Sequence, residues 1–193
     1  DNQGRDNPAS RELVRVINKA REDMMTFFGV SEGVVFTGES GTELLFRLVR
    51  AAIFGSAEGG NVIGSTLEHP ATASARSQWS PIAGKENISI AHDKDQAMVT
   101  AEHYLEHVTA ETRVATIIQT SPVVGMAVDV KKITAAIRSK SPDCFIIVDS
   151  IQHAAHGVMD IGAIGVDGCA VSGYKVFSRH NYGVAWVSPR LST

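Results

Sequence analysis

The sequence predicts one three-layer α/β/α domain built on a mostly parallel sheet of about seven strands. The first observation is that strand-like and helix-like stretches alternate along the whole chain. The second is that some strands are apolar without interruption, as in Phe-Ile-Ile-Val at 145–148, which indicates burial on both faces. The third is the length, because 193 residues are enough to bury one sizeable core.

The first helix has the clearest boundaries. Asn7 is a good N-cap, Pro8 suits the first helical position, and Gly29 is typical of a helix end. A short strand, Val34–Thr37, follows, and the tight loop Gly38–Thr42 leads into a helix over 43–54. The remaining elements alternate in the same way. Strands are expected at 61–65, 87–91, 115–120, 144–148, 168–172 and 183–188, and helices at 69–79, about 100–108 and 130–139.

Composition excludes several classes of partner. Apolar residues make up 44% and charged residues 20%, which is ordinary for a globular domain and argues against disorder. The net charge of −3 argues against binding to the phosphate backbone of nucleic acid. No apolar run approaches the ~20 residues of a membrane helix, and the polar start of the chain resembles no secretory signal. Cys144 and Cys169 lie in apolar runs, so we expect free buried thiols and a cytoplasmic protein.

Polar side chains follow several of the predicted strands. In open α/β sheets, ligands bind outside the carboxyl ends of the strands. These ends deliver the loop 38–42, the pairs 68–69 (Glu-His) and 120–121 (Thr-Ser), Asp149 with Gln152, and 172–175 (Ser-Gly-Tyr-Lys). A loop of small residues at a helix start binds phosphate, and a lysine amine forms a Schiff base with an aldehyde. A carboxylate can hold a ring nitrogen protonated, and an imidazole can stack on the ring. Pyridoxal phosphate needs all four groups.

At these residues the sequence resembles the class V aminotransferase and cysteine desulfurase group of fold type I pyridoxal-phosphate enzymes. The stretch 148–156 (Val-Asp-Ser-Ile-Gln-His-Ala-Ala-His), continued through Asp160 and Asp167 to Lys175, is similar without a gap to the family run VDGAQ…PH…D…D…S-x-H-K. Residues 40–43 (Ser-Gly-Thr-Glu) resemble its G-[AT]-T-E phosphate loop, and 120–125 resemble its S-N-V-x-G turn.

The resemblance implies a role for each matching residue. Lys175 would form the Schiff base and move protons at the substrate α-carbon. Asp149 would pair with the pyridinium nitrogen, and Gln152 would hydrogen-bond the ring hydroxyl. His69 would stack on the ring and take part in proton transfer. The phosphate would be held by the remaining three residues: Gly41, Thr42 and Ser172.

The chain also departs from the family pattern. Ser40 replaces a glycine, Pro122 replaces an asparagine, and Tyr174 replaces the histidine before the lysine. Family members are homodimers of about twice this length. Their C-terminal small domain carries the arginine that binds the substrate carboxylate and, in desulfurases, the nucleophilic cysteine. The expectation is therefore a large, cofactor-binding domain over residues 1–193, without that small domain.

Four functions stay open at this stage. The first is a class V aminotransferase-type enzyme acting on an amino acid or amine as its small-molecule substrate. A cysteine desulfurase or selenocysteine lyase is the second, and a non-catalytic cofactor-binding fragment is the third. The fourth is a metallohydrolase, because residues 103–107 (His-Tyr-Leu-Glu-His) match the H-x-x-E-H pattern of inverted zinc peptidases.

Overall fold

The computed structural model describes residues 3–192. In chain order the elements are α1 (Pro8–Phe28), β1 (Val34–Gly38), α2 (Gly41–Gly55), β2 (Asn61–Ser65), α3 (Pro70–Ile82), β3 (Glu86–Ile90), α4 (Ala101–His107), β4 (Thr112–Ile118), α5 (Val130–Lys140), β5 (Phe145–Asp149), α6 (Ile161–Ile164), β6 (Gly168–Ser172) and β7 (Gly183–Val187). Two 3₁₀ turns, His153–Ala155 and Gly173–Val176, follow β5 and β6.

The predicted fold class is confirmed. The described strands form one seven-stranded sheet in the order β1-β7-β6-β5-β4-β2-β3. Only β7 runs against the others, since it pairs antiparallel with both β1 and β6. Six strands therefore have their carboxyl ends at the same edge.

Helices cover both faces of the sheet. On one face, α2 and α3 bury an apolar cluster that includes Leu45 and Ile53 against Ile147 of β5. On the other face, residues of α4 and α5 such as Tyr104 and Ile133 pack on the opposite side of the same strands. Because β5 is covered on both sides, its apolar residues need no alternation.

Local signals placed both ends of α1 and the start of α5 correctly, whereas α2 begins at Gly41, before the predicted 43, and α3 continues to Ile82, beyond the predicted 79. The Asn7 side chain accepts a hydrogen bond from the Ser10 backbone N–H at 2.9 Å, and Gly29 ends α1 in the left-handed conformation at φ 65°. Asp129 caps α5 in the same way as Asn7 caps α1. The predicted bounds of β4 were shifted: the strand begins at Thr112 and ends at Ile118. Thr120 lies beyond it, in an isolated bridge to Ala127 where the chain turns.

Candidate active site

Six of the seven predicted site residues line one cleft at the carboxyl edge of the sheet. They are Thr42, His69, Asp149, Gln152, Ser172 and Lys175. The central strands β4, β5 and β6 end at this cleft, and the N-terminal ends of α2 and α3 face it. The seventh residue, Gly41, joins the group through a hydrogen bond: its backbone N–H donates to the Ser172 hydroxyl at 3.0 Å.

The N-terminus of α2 is packed tightly against two strands. A Cβ on Gly41 would lie 2.5 Å from the Ser172 Oγ, so a larger residue would force the Ser172 side chain to move. Ser40, the departure from the family glycine, has extended backbone and serves as the N-cap, with its hydroxyl accepting from the Glu43 N–H at 3.1 Å. Thr42 lies between these bonded positions and lines the cleft. The first turn of a 15-residue helix thus presents its positive end to the cleft.

Gly183 is a residue that the sequence reasoning treated only as a strand start. A Cβ at this position would lie 2.6 Å from the Ser40 carbonyl carbon and 2.8 Å from the Gly41 nitrogen. The absence of a side chain on β7 therefore allows the loop before α2 to lie directly on the strand. The sequence shows a glycine at the start of a strand, but it does not show that the loop before α2 packs on that glycine.

Asp149 is a buried carboxyl group at the end of β5. It is 3% exposed, and its Oδ1 accepts one hydrogen bond, from the Ile151 N–H at 3.0 Å. Among the described residues, no lysine, arginine or histidine forms an ion pair with it. Burial raises the pKa of Asp149 to about 6; the Ile151 N–H opposes this shift, and the negative charge of Glu68 adds to it. The site therefore favours a cationic or hydrogen-donating group beside this carboxylate.

Lys175 lies in the 3₁₀ turn after β6 and reaches the same cleft. Its Nζ donates to the Gln152 Oε1 at 3.1 Å and lies 5.5 Å from the centre of the Tyr174 ring. Tyr174 in turn stacks on His180, with ring centres 5.1 Å apart. The tyrosine that replaces the family histidine thus forms part of the wall beside the lysine.

His69 is both the N-cap of α3 and a cleft residue. Its Nδ1 accepts from the Ala71 N–H at 3.1 Å, so Nε2 carries the ring hydrogen. The preceding residue, Glu68, is buried and accepts from the Ser65 N–H at 2.9 Å and the Thr116 hydroxyl at 2.7 Å. Its carboxylate also lies 3.5 Å from the equally buried guanidinium of Arg76. This buried pair fixes the backbone that carries His69.

The two histidines of the H-x-x-E-H pattern make hydrogen bonds within α4 or at its start. The His103 Nδ1 bonds to Thr100 at the start of α4, and the His107 Nδ1 bonds to the His103 carbonyl. The described residues contain no group of three metal-ligating side chains. His103 therefore belongs to the N-terminal cap of α4, and His107 bonds within the helix.

Ser121 and the cysteines are structural as well. The Ser121 hydroxyl accepts from the N–H groups of Val123 and Val124, and its neighbours Thr120 and Pro122 line the cleft instead. Cys144 and Cys169 are free and buried as predicted, and burial raises the pKa of the Cys144 thiol to about 12 and that of Cys169 further. No described helix combines the length and apolarity needed to cross a bilayer.

The sheet order and the position of the cleft define a fold type I α/β domain. In solved structures, a NifS-like protein superposes with a TM-score of 0.89 at 20% identity, over 98% of this chain and 52% of its own. The Escherichia coli cysteine desulfurase CsdA superposes with a TM-score of 0.86 at 20% identity, over 99% and 48%. At these identities the likeness shows the fold.

Sequence comparison shows the family. Residues 5–193 match Aminotransferase class-V, and the chain belongs to this family. A probable cysteine desulfurase of Mycoplasma genitalium is 25% identical over 188 residues, which are 95% of this chain and 45% of that protein. The chain thus spans about half the length of the curated relatives it matches.

Proposed function

We propose that this chain is the cofactor-binding domain of a pyridoxal-phosphate-dependent enzyme acting on an amino acid or amine. One observation carries the proposal: a single cleft contains a lysine amine, an imidazole, a helix N-terminus and a buried carboxyl group that has no ion-pair partner within residues 3–192. Each of these groups would contact a different part of the cofactor. Membership of the class-V aminotransferase family supports the same conclusion.

The donor set fits the cofactor on two counts. Gly41 and Gly183 let the start of α2 pack directly against β6 and β7, where a Cβ would clash, and this helix N-terminus faces the cleft; phosphate is the anion that helix N-termini bind. At the other end, Asp149 is costly to ionise where it is buried, and a protonated ring nitrogen would supply the missing cation. We assign the phosphate to Gly41, Thr42 and Ser172, and the ring nitrogen to Asp149.

The remaining residues hold and orient the reactive atoms. When bound, pyridoxal phosphate supplies an aldehyde for covalent attachment and a ring that withdraws electrons from the substrate α-carbon. Lys175 would provide the attaching amine and move a proton at that carbon. Gln152 would hydrogen-bond the ring hydroxyl, and His69 would cover one ring face.

The domain assignment is also a proposal. We infer that residues 1–193 form the large domain of a longer architecture, and that the active form is a homodimer in the cytoplasm. Val123 and Phe177 support more protein at the cleft mouth, because they are 86% and 99% exposed and lie one and two residues after the cleft residues Pro122 and Lys175.

Cysteine desulfurase or selenocysteine lyase chemistry is the second candidate, favoured by the names of the curated relatives. A desulfurase needs a thiolate nucleophile. Cys144 and Cys169 are both buried with a raised pKa, and neither lines the cleft. Neither thiol can serve, so this chain alone should not release sulfide from L-cysteine.

Covalent cofactor uptake tests the proposal. The chain is mixed with pyridoxal phosphate, reduced with borohydride and digested, and the modified lysine is mapped by mass spectrometry. We expect one modified residue, Lys175, a visible absorption band before reduction, and loss of both in Lys175→Ala. One of the exposed lysines of α5 provides the control: the Lys131→Ala variant should be modified at Lys175 as in the unaltered chain. Folded protein with no preferred modification of Lys175 would refute cofactor binding by this domain.

A further inference from the structure

A chain of two hydrogen bonds runs from Lys175 to a histidine outside the cleft. The Lys175 Nζ donates to the Gln152 Oε1 at 3.1 Å, and the Gln152 Nε2 lies 3.2 Å from the His156 Nε2. His156 is exposed and is absent from the cleft lining. The 3₁₀ turn between the two residues fixes their spacing, since the His156 N–H donates to the His153 carbonyl at 2.8 Å.

The chemistry of the three groups determines the direction of both bonds. A lysine ammonium has donors only, so the amide atom facing it must be the oxygen. The amide nitrogen then faces His156 and can only donate. The His156 Nε2 must therefore accept, and Nδ1 carries the ring hydrogen.

We propose that His156 is a positioning residue that sets the orientation of the Gln152 amide and, through it, the placement of the Lys175 amine. This inference rests on the proposed function of Lys175. While His156 accepts at Nε2, the amide oxygen is held toward Lys175. A ring with its hydrogen on Nε2 would instead favour the reversed amide, which presents N–H groups to the ammonium and removes its acceptor.

His153 provides an internal comparison. It lies in the same turn, but its Nδ1 bonds to the Thr120 hydroxyl at 2.9 Å, and a hydroxyl can donate or accept. The two hydrogen bonds that join Lys175, Gln152 and His156, called the relay below, therefore set the tautomer of His156 and not that of His153.

The test is the tautomer of each ring in the cofactor-free chain, measured by long-range ¹H–¹⁵N NMR near pH 8.5, about two units above the ordinary imidazole value. We expect the Nδ1–H form to predominate at His156. Lys175→Met and Gln152→Leu should each shift the ratio of the two forms at His156 by about 2- to 10-fold toward Nε2–H, the range expected for one hydrogen bond. His153 should change by less than about twofold, since it makes no bond to the relay.

Lys175→Arg separates the relay from a general effect of altering residue 175. Arginine is also a donor without an acceptor, so this variant should keep the Nδ1–H form. Predominance of Nε2–H in the unaltered chain, or a His156 ratio unmoved by both Lys175→Met and Gln152→Leu, would overturn the proposal. The tautomer ratio is measured without cofactor. Failed borohydride trapping would therefore refute the proposed function without changing the measured tautomer of His156.

Discussion

Replacing Asp149 by asparagine should stabilise the cofactor-free chain while weakening cofactor binding. Asparagine has nearly the same shape, and its Oδ1 can still accept from the Ile151 N–H. The pKa of Asp149 is about 6 in the folded protein against an ordinary value of 3.8. This difference corresponds to about 3 kcal/mol of folding free energy at pH 8.

The sign of the effect follows from proton linkage. The folded chain holds the Asp149 proton more tightly than the unfolded chain does, so this group favours folding below pH about 4 and loses that contribution as pH rises to about 6. The asparagine side chain cannot ionise. The stability advantage of Asp149→Asn should therefore be about 1–2 kcal/mol at pH 5 and about 3 kcal/mol at pH 8.

Urea denaturation at both pH values, followed by circular dichroism, measures the difference. Asp143 is exposed, and Asp143→Asn should change the unfolding free energy by less than about 0.5 kcal/mol at either pH. Titration with pyridoxal phosphate should show affinity reduced at least about tenfold in Asp149→Asn, since a charge-assisted hydrogen bond is lost. Equal stability of the variant and the unaltered chain at pH 8 would show that ionising the buried carboxyl group costs no folding free energy, which would refute the reasoning.

Three further substitutions test the supports of the cleft. Gly183→Ala should destabilise the chain by about 1–3 kcal/mol and weaken phosphate-dependent binding, because its Cβ meets the backbone of the loop before α2. Gly55 has open space around it, so the control Gly55→Ala should be neutral or stabilising by up to about 1 kcal/mol. Equal effects of the two substitutions in thermal unfolding would contradict this reasoning. Arg76→Leu should cost about 3–5 kcal/mol in denaturant unfolding, since Glu68 stays buried without its cation, and a loss below about 1 kcal/mol would argue that the pair is dispensable. Ser172→Ala should cost about 1–3 kcal/mol by leaving the Gly41 N–H without its acceptor and should also lower cofactor affinity; unchanged amide hydrogen exchange at that N–H would count against the bond.

Most secondary structure and the composition of the cleft were predictable because their signals are local. Asn7, Gly29 and Asp129 mark helix ends through contacts within four residues, and uninterrupted apolar strands indicate burial whatever lies beside them. Residues at strand ends meet at one edge in any largely parallel sheet. That rule alone was sufficient to group Asp149 with Lys175.

The sequence by itself therefore determined which elements form, where most of them end, and which polar residues share an edge. The tertiary structure decided what those residues contact. Gly41 and Ser172 are 131 positions apart, and their bond forms because the assembled sheet places the start of α2 beside the end of β6. The raised pKa of Asp149 likewise depends on the layers that bury β5, and the bond between Lys175 and Gln152 depends on the pairing that places the end of β6 beside the end of β5. Burial and long-range contacts are properties of the assembled sheet, whereas caps and apolar periodicity are properties of short segments.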